Sequence, residues 1–312
     1  MLVHDLMQAT LGTARIGLVD IGASGGLEAR WRPVARFITP FFFEPDDRAL
    51  KNLARDSGCE QPRIFPFALT ETDGRVTLHL CAKQTVSSVF KPNLPFLSRF
   101  PDVERFEITR DVEVPARALD SCLSPQEMLS VDFFKIDAQG CELRALQGAA
   151  KTLATPVIGL EIEVEFQELY AGQPLFGDLC AELRRDGFEF FDFTGAARWN
   201  RNGYSRFGQL TFADALFMRP PETFAALIAA LSPTDRREKC LKYVAICGLY
   251  HRVDLFDACL KHFAGHLTAE DRAAIAQSQR RFERKHRLMS RLSGVLYRLI
   301  LKPLGLNFLP FW

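Results

Sequence analysis

From residue 16 to about residue 195, short unbroken apolar runs alternate with stretches whose apolar positions recur at helical spacing. The runs occupy 16–21, 41–44, 63–68, 131–137, 157–163 and 188–193, with helical segments at 45–56, 141–153 and 176–186 between several of them. Runs that are apolar throughout, separated by helices, predict a mainly parallel sheet covered on both faces. Residues 70–130 follow another pattern: a polar turn from Thr70 to Arg75, then alternating Val76, Leu78 and Leu80, then strand-like pieces at 106–113 and 112–115. This predicts an antiparallel excursion before the chain rejoins the sheet. Beyond Pro220-Pro221 helical periodicity dominates, with a helical pair expected over 235–263 around Tyr250–Asp254. The expected fold is α/β and Rossmann-like, with a mainly parallel central sheet and helices on both faces. The expected division is 1–220 for the α/β domain and 221–312 for a C-terminal helical appendage.

Ligands of such sheets bind beyond the C-terminal ends of the strands. Asp20, Glu44, Ala68, Asp137 and Glu163 all close predicted strands and are expected to line one rim. The first run leads into Asp20-Ile21-Gly22-Ala23-Ser24-Gly25-Gly26. Its Asp-x-Gly-x-x-x-Gly pattern differs from the Gly-x-Gly-x-x-Gly that faces a pyrophosphate. No Lys or Arg lies between Asp20 and Glu28, and acids stand at both ends, which suits a cationic cofactor better than a diphosphate. Glu44 closes the second run, where a carboxylate accepts hydrogen bonds from both ribose hydroxyls of an adenosine. S-adenosyl-L-methionine combines that adenosine with a sulfonium and an ammonium.

Composition narrows the partners. The net charge of +1 provides no basic field for nucleic acid. The eight cysteines include no Cys-x-x-Cys pair. With His4 and Asp5 interrupting the first residues, no secretory leader is expected, and the reading is free thiols in a reducing cytoplasm. Cys259, His262 and His266 share one helix face, but the segment between the histidines has no acid and no fourth ligand follows, so no metal is expected.

The run Phe133-Phe134-Lys135-Ile136-Asp137-Ala138-Gln139-Gly140-Cys141-Glu142 is the second informative stretch. An acid ending an apolar central strand needs a partner or a task, and Asp137 is the first candidate for it. Glu142 opens the following helix, either as compensation of its dipole or as a ligand. Together with Val19-Asp20-Ile21-Gly22-Ala23, Phe43-Glu44-Pro45, Phe67-Ala68-Leu69, Ser87-Ser88 and the later Gly208–Phe217 strand, this run resembles the FkbM-like family of S-adenosylmethionine-dependent methyltransferases. The resemblance extends from residue 16 to about residue 218. It implies a class I methyltransferase fold and methyl transfer to oxygen, commonly on sugars or glycan-containing natural products. Asp20, Gly22, Ala23 and Gly26 would then cradle the methionine portion, Glu44 the ribose, and Ala68 would lie near the adenine.

The remaining candidates concern the acceptor. Ser87 and Ser88 sit in a polar loop suited to closing over cofactor or substrate. Trp31 and Arg32, where the sequence departs from the family's usual helix start, either contact an acceptor or cap a short helix. A sugar hydroxyl gains from a positioned base, for which Asp137 is the first candidate and Glu163 the second. Glu161, Glu163 and Glu165 alternate along one strand and share a side. They either raise one another's pKa or hold a divalent ion with Asp137, or they pair with Arg184, Arg185 or Arg198. A different class of function is a cofactor-binding module with little or no catalysis, recruited to a membrane or protein complex through its tail. That tail reads as a basic amphipathic helix, Arg280 to Ile300, followed by an apolar end from Leu304 to Trp312. It is expected either to dock on the catalytic domain or a second subunit, or to attach to anionic lipid at the inner face of the membrane.

Overall fold

Three strands of the sheet are buried along their whole length: β1 (Ile16–Ile21), β7 (Val131–Ile136) and β8 (Gly159–Glu165). Alternate residues therefore find apolar partners on both faces, as the unbroken apolar runs require. In the computed structural model, which describes residues 2–59, 62–202 and 208–296, these strands form the middle of a seven-stranded sheet. The other strands are β2 (Ile38–Phe43), β3 (Arg63–Phe65), β4 (Ala68–Leu69), β5 (Gly74–Cys81), β6 (Ile108–Arg117), β9 (Glu189–Trp199) and β10 (Gln209–Met218). The order across the main sheet is β3-β2-β1-β7-β8-β10-β9. All neighbours pair in parallel except β10, which runs antiparallel to both β8 and β9. On one face Val19, Phe134 and Leu160 join a core with Leu146 and Leu179 from the covering helices Glu142–Gln147 and Phe176–Arg185. On the other, Phe133 packs against Trp31, ring centroids 5.4 Å apart.

The expected excursion is a separate three-stranded sheet, β4-β6-β5, with β5 and β6 antiparallel. One boundary differs from the sequence reading. The predicted strand at 63–68 breaks after Phe65, because Pro66 has no N–H to offer the ladder. Ala68 and Leu69 pair instead with Ala116 and Arg117 of β6. At the far end, Arg219 follows β10 with its guanidinium buried. It donates to the carbonyls of Leu153 (2.6 Å), Val157 (3.2 Å) and Asp186 (2.6 Å) and lies 4.1 Å over the Phe188 ring.

The chain divides into two compact units. One is Arg15–Ile228, and the other joins the N-terminal helix Leu2–Leu11 to the chain from Ala229 onward. The N-terminal helix was expected in the α/β domain. It buries Leu6, Met7 and Leu11 against the helices Pro233–Leu249 and Ala269–Leu296 instead. The expected helical pair is present as Pro233–Leu249 and Leu255–His262. Among the described residues no helix is long and apolar enough to cross a membrane. The apolar end of the tail, Leu304 to Trp312, and residues 297–300 of the expected basic helix lie outside the described residues.

Candidate active site

The chain leaves β1 for β2 and β3 on one side, then returns to β7 and β8 on the other. That reversal opens a crevice at the C-terminal ends of β1 and β7, where the loops diverge. A cavity of about 430 Å³ occupies it, a volume suited to a small-molecule ligand.

The cavity floor is built by close backbone contact. Gly22 adopts φ +81°, and a Cβ there would lie 1.9 Å from the Asp137 carbonyl oxygen, so only glycine fits. The N–H groups of Gly22 and Ala23 donate to Phe43 O at 2.9 and 3.3 Å, and Asp137 N–H donates to Ile21 O at 2.9 Å. These bonds lock the ends of β1, β2 and β7 together and aim Asp20, Glu44 and Asp137 at one space.

The acids are held by burial and by few cations. Asp20 is 4% exposed, and burial pushes its carboxyl up to about 7; Lys135 opposes this, while Asp137, Glu28 and Glu44 reinforce it. Glu44 accepts from Asp46 N–H at 2.8 Å and is likewise raised by burial to about 7. Around the cavity stand Asp20, Glu28, Glu44, Asp46 and Asp137 against Lys135 and Arg32. Arg32 donates through Nε to Leu27 O at 2.7 Å, and Lys135 lies 3.6 Å from Asp214. Burial alone would lower the Lys135 pKa, but Asp137, Asp214, Asp20 and Glu161 outweigh it and hold the ammonium charged.

A turn in the left-handed region follows Asp137. Gln139 has φ +52°, a conformation that costs a non-glycine residue on the order of 1 kcal/mol. Its side chain is engaged on every side. Nε2 donates to Asp137 Oδ1 (2.7 Å) and Glu163 Oε1 (2.9 Å), and Oε1 lies 2.8 Å from the Tyr170 hydroxyl. Ser88 Oγ donates to the Gln139 carbonyl at 2.6 Å. Glu142 shapes the same turn, accepting from the N–H groups of Ala138 (2.8 Å) and Gly140 (3.1 Å). Its buried carboxyl, raised to about 7, serves the backbone rather than a ligand.

Of the residues expected in the site, Asp20, Gly22, Ala23, Gly26, Arg32, Glu44, Ala68, Ser87, Ser88 and Asp137 all line the cavity. Ala68 arrives there from the small sheet rather than from the end of a main-sheet strand. Ser87 Oγ accepts from Arg48 Nη2 and from Cys81 N–H, both at 3.0 Å, so both serines also tie their loop to its surroundings. Trp31 and Glu163 do not line the cavity. Trp31 is fully buried against Phe133, where its ring completes the apolar face beneath the sheet, and it stands at the N-cap of the short helix Arg32–Phe37, the other role expected of it. Glu163 lies two residues inside the end of β8, 9% exposed, and reaches Asp137 through Gln139 instead of lining the cavity. Burial and the nearby Asp137 and Glu165 hold its carboxyl well above the ordinary range. The partner expected for Glu161 among Arg184, Arg185 and Arg198 is instead Arg30, at 3.6 Å, with the Thr194 hydroxyl donating to the same oxygen. Among the described residues no group of three or more His, Cys, Asp or Glu side chains is arranged to hold a metal.

The sequence reading missed Lys135 and Gln139. A lysine within an apolar run could have drawn attention, but its partners become apparent only from the register that sets it beside Asp20 and Glu161.

The model of the Methyltransferase FkbM domain matches residues 20–190. Over 182 residues the chain is 32% identical to the 2-O-methyltransferase NoeI of Sinorhizobium fredii (strain NBRC 101917 / NGR234), covering 55% of this chain and 72% of that protein. Among solved structures, Sp1610 of Streptococcus pneumoniae aligns over 89% of this chain and 96% of its own at 11% identity, with a TM-score of 0.34. An uncharacterized protein of Listeria monocytogenes serotype 4b aligns over 89% and 95% at 10% identity, with a TM-score of 0.33. The family match begins at Asp20 and takes in Glu44, Asp137 and the strand carrying Glu163, and on that ground the chain belongs to the FkbM family of methyltransferases.

Proposed function

We propose that the protein is an S-adenosylmethionine-dependent O-methyltransferase acting on a hydroxyl of a sugar, glycan or glycosylated natural product. The observation that carries this reading is the acid-rich cavity at the β1–β7 crevice, where Asp20, Glu28, Glu44 and Asp137 face Lys135 and Arg32, while Asp46 is paired with Arg48 at 2.6 Å. Such a site favours a cation and disfavours a diphosphate. The cofactor fits this donor set and, when bound, supplies an electrophilic methyl group on sulfur. Glu44 would hold its ribose, Asp20 and the Gly22–Gly26 turn its methionine portion, and Ala68 with Leu69 would provide an apolar wall for the adenine.

The chain's own contribution is mainly alignment, which can supply much of the barrier reduction in an in-line displacement. Asp137, which lines the cavity, would orient the acceptor hydroxyl and take its proton at a carboxylate oxygen. Gln139 fixes the other side of that carboxylate and ties it to Glu163, whose carboxyl burial holds well above the ordinary range. Transfer to oxygen agrees with the 2-O-methyltransferase activity for which the relative NoeI is named. The eight free cysteines suit a reducing, cytoplasmic setting.

The test uses methyl-labelled S-adenosylmethionine, the purified full chain and bacterial glycan extracts. Label recovered as a sugar methyl ether is the expected result. Cofactor binding without transfer to any hydroxyl-bearing fraction would overturn the reading in favour of a binding module.

A further inference from the structure

The long helix Ala269–Leu296 lies beyond the region matched by the family. Its buried stripe carries Ile275, Ser278 and Phe282, with Phe282 packed edge-on against Phe256 and His251. Five cations, Arg280, Arg281, Arg284, Lys285 and Arg287, are exposed. At about 100° per residue they sweep roughly 160° of the helix circumference, an arc that borders the buried stripe at Lys285 and runs away from it. Glu283 falls at the margin of that arc, where it pairs with Arg287 at 3.1 Å. From Arg284 to Trp312 the sequence contains no Asp or Glu. In that stretch Leu288, Leu292, Val295 and Leu296 recur at helical spacing, and Phe308, Phe311 and Trp312 come later.

We infer that this basic face docks the protein on an anionic lipid surface. Cations alone would fit any polyanion. Their continuation into apolar and aromatic positions fits the boundary between headgroups and acyl chains, where charge attraction and apolar burial add. The aliphatic positions Leu288, Leu292, Val295 and Leu296, at helical spacing beside the cations, offer a nucleic-acid backbone nothing, but suit burial among acyl chains.

The experiment is sedimentation of the full chain with vesicles of phosphatidylcholine alone and of phosphatidylcholine with phosphatidylglycerol. Wild type is expected to bind the anionic vesicles at least about tenfold more tightly than the neutral ones, with binding falling as salt rises. A variant carrying R280Q, R281Q, R284Q, K285Q and R287Q is expected to lose about tenfold or more of that affinity. Its far-UV circular dichroism and its S-adenosylmethionine affinity are expected to match wild type. Equal binding to both vesicle types, or salt-insensitive binding by wild type, would overturn the inference whatever the variant does. So would tighter binding of wild type to a single-stranded RNA than to anionic vesicles. A dimer that the substitutions dissociate, with no vesicle binding, would assign the face to a second copy and refute the lipid reading.

Discussion

Glu44→Gln tests the cofactor assignment through charge alone, because it keeps the shape of the side chain and the acceptor for Asp46 N–H. The wild-type carboxyl is pushed up to about 7 by burial, so ligand-free protein is only partly ionised at neutral pH. If the ionised form receives the ribose hydroxyls, the competent fraction rises from about one tenth at pH 6 to about nine tenths at pH 8, and affinity rises about tenfold with it. Calorimetric titration with 5′-methylthioadenosine isolates the effect. That probe carries the ribose and adenine but lacks the α-amino and α-carboxyl groups of methionine, so nothing of its own titrates over this range. At pH 8 Glu44→Gln removes charge-assisted hydrogen bonds with a net value of about 1.5–3 kcal/mol, a loss of about 10- to 150-fold. At pH 6 the gap to wild type narrows, since wild-type Glu44 is then mostly protonated. The reasoning is refuted by a wild-type affinity that is flat from pH 6 to 8, or by a variant that binds like wild type at pH 8.

Three further outcomes are expected. Asp20 and Glu44 hold their protons more tightly folded than unfolded, so their contribution to stability is full below about pH 4 and is lost as pH rises to about 7; Asp20→Asn should flatten the fall in melting temperature of ligand-free protein across that window, and an unchanged profile would contradict it. Asp137→Asn should lower turnover on the order of 10²-fold while leaving cofactor affinity near wild type, and a folded variant with normal turnover would remove Asp137 from the chemistry. Arg219→Met leaves the carbonyls of Leu153, Val157 and Asp186 without their buried donor, at about 3 kcal/mol or more. A drop in melting temperature of about 6–12 °C would show it, against no shift if those bonds are replaced by water.

Which residues close the strands of the rim is legible from the sequence alone. Gly22, Glu44 and Asp137 each follow an apolar run, and the period of those runs defines strands whose ends must meet at a crevice. The turn could be read because a glycine at a strand end is a backbone statement, independent of what lies across the sheet. Other features depended on partners far away in the chain. Lys135 reads as one charge in a hydrophobic run until register sets it between Asp20 and Glu161. Glu163 reads as a strand end until the pairing of β8 with β10 carries the strand on to Glu165 and leaves Glu163 recessed behind Gln139. Trp31 reads as an acceptor contact or a helix cap until packing against Phe133 encloses it at the N-cap of Arg32–Phe37. The N-terminal helix has an apolar face in either setting, and the helices Pro233–Leu249 and Ala269–Leu296 decided which surface would bury it. Periodicity fixes which face of an element is apolar, whereas long-range register and packing decide what that face meets.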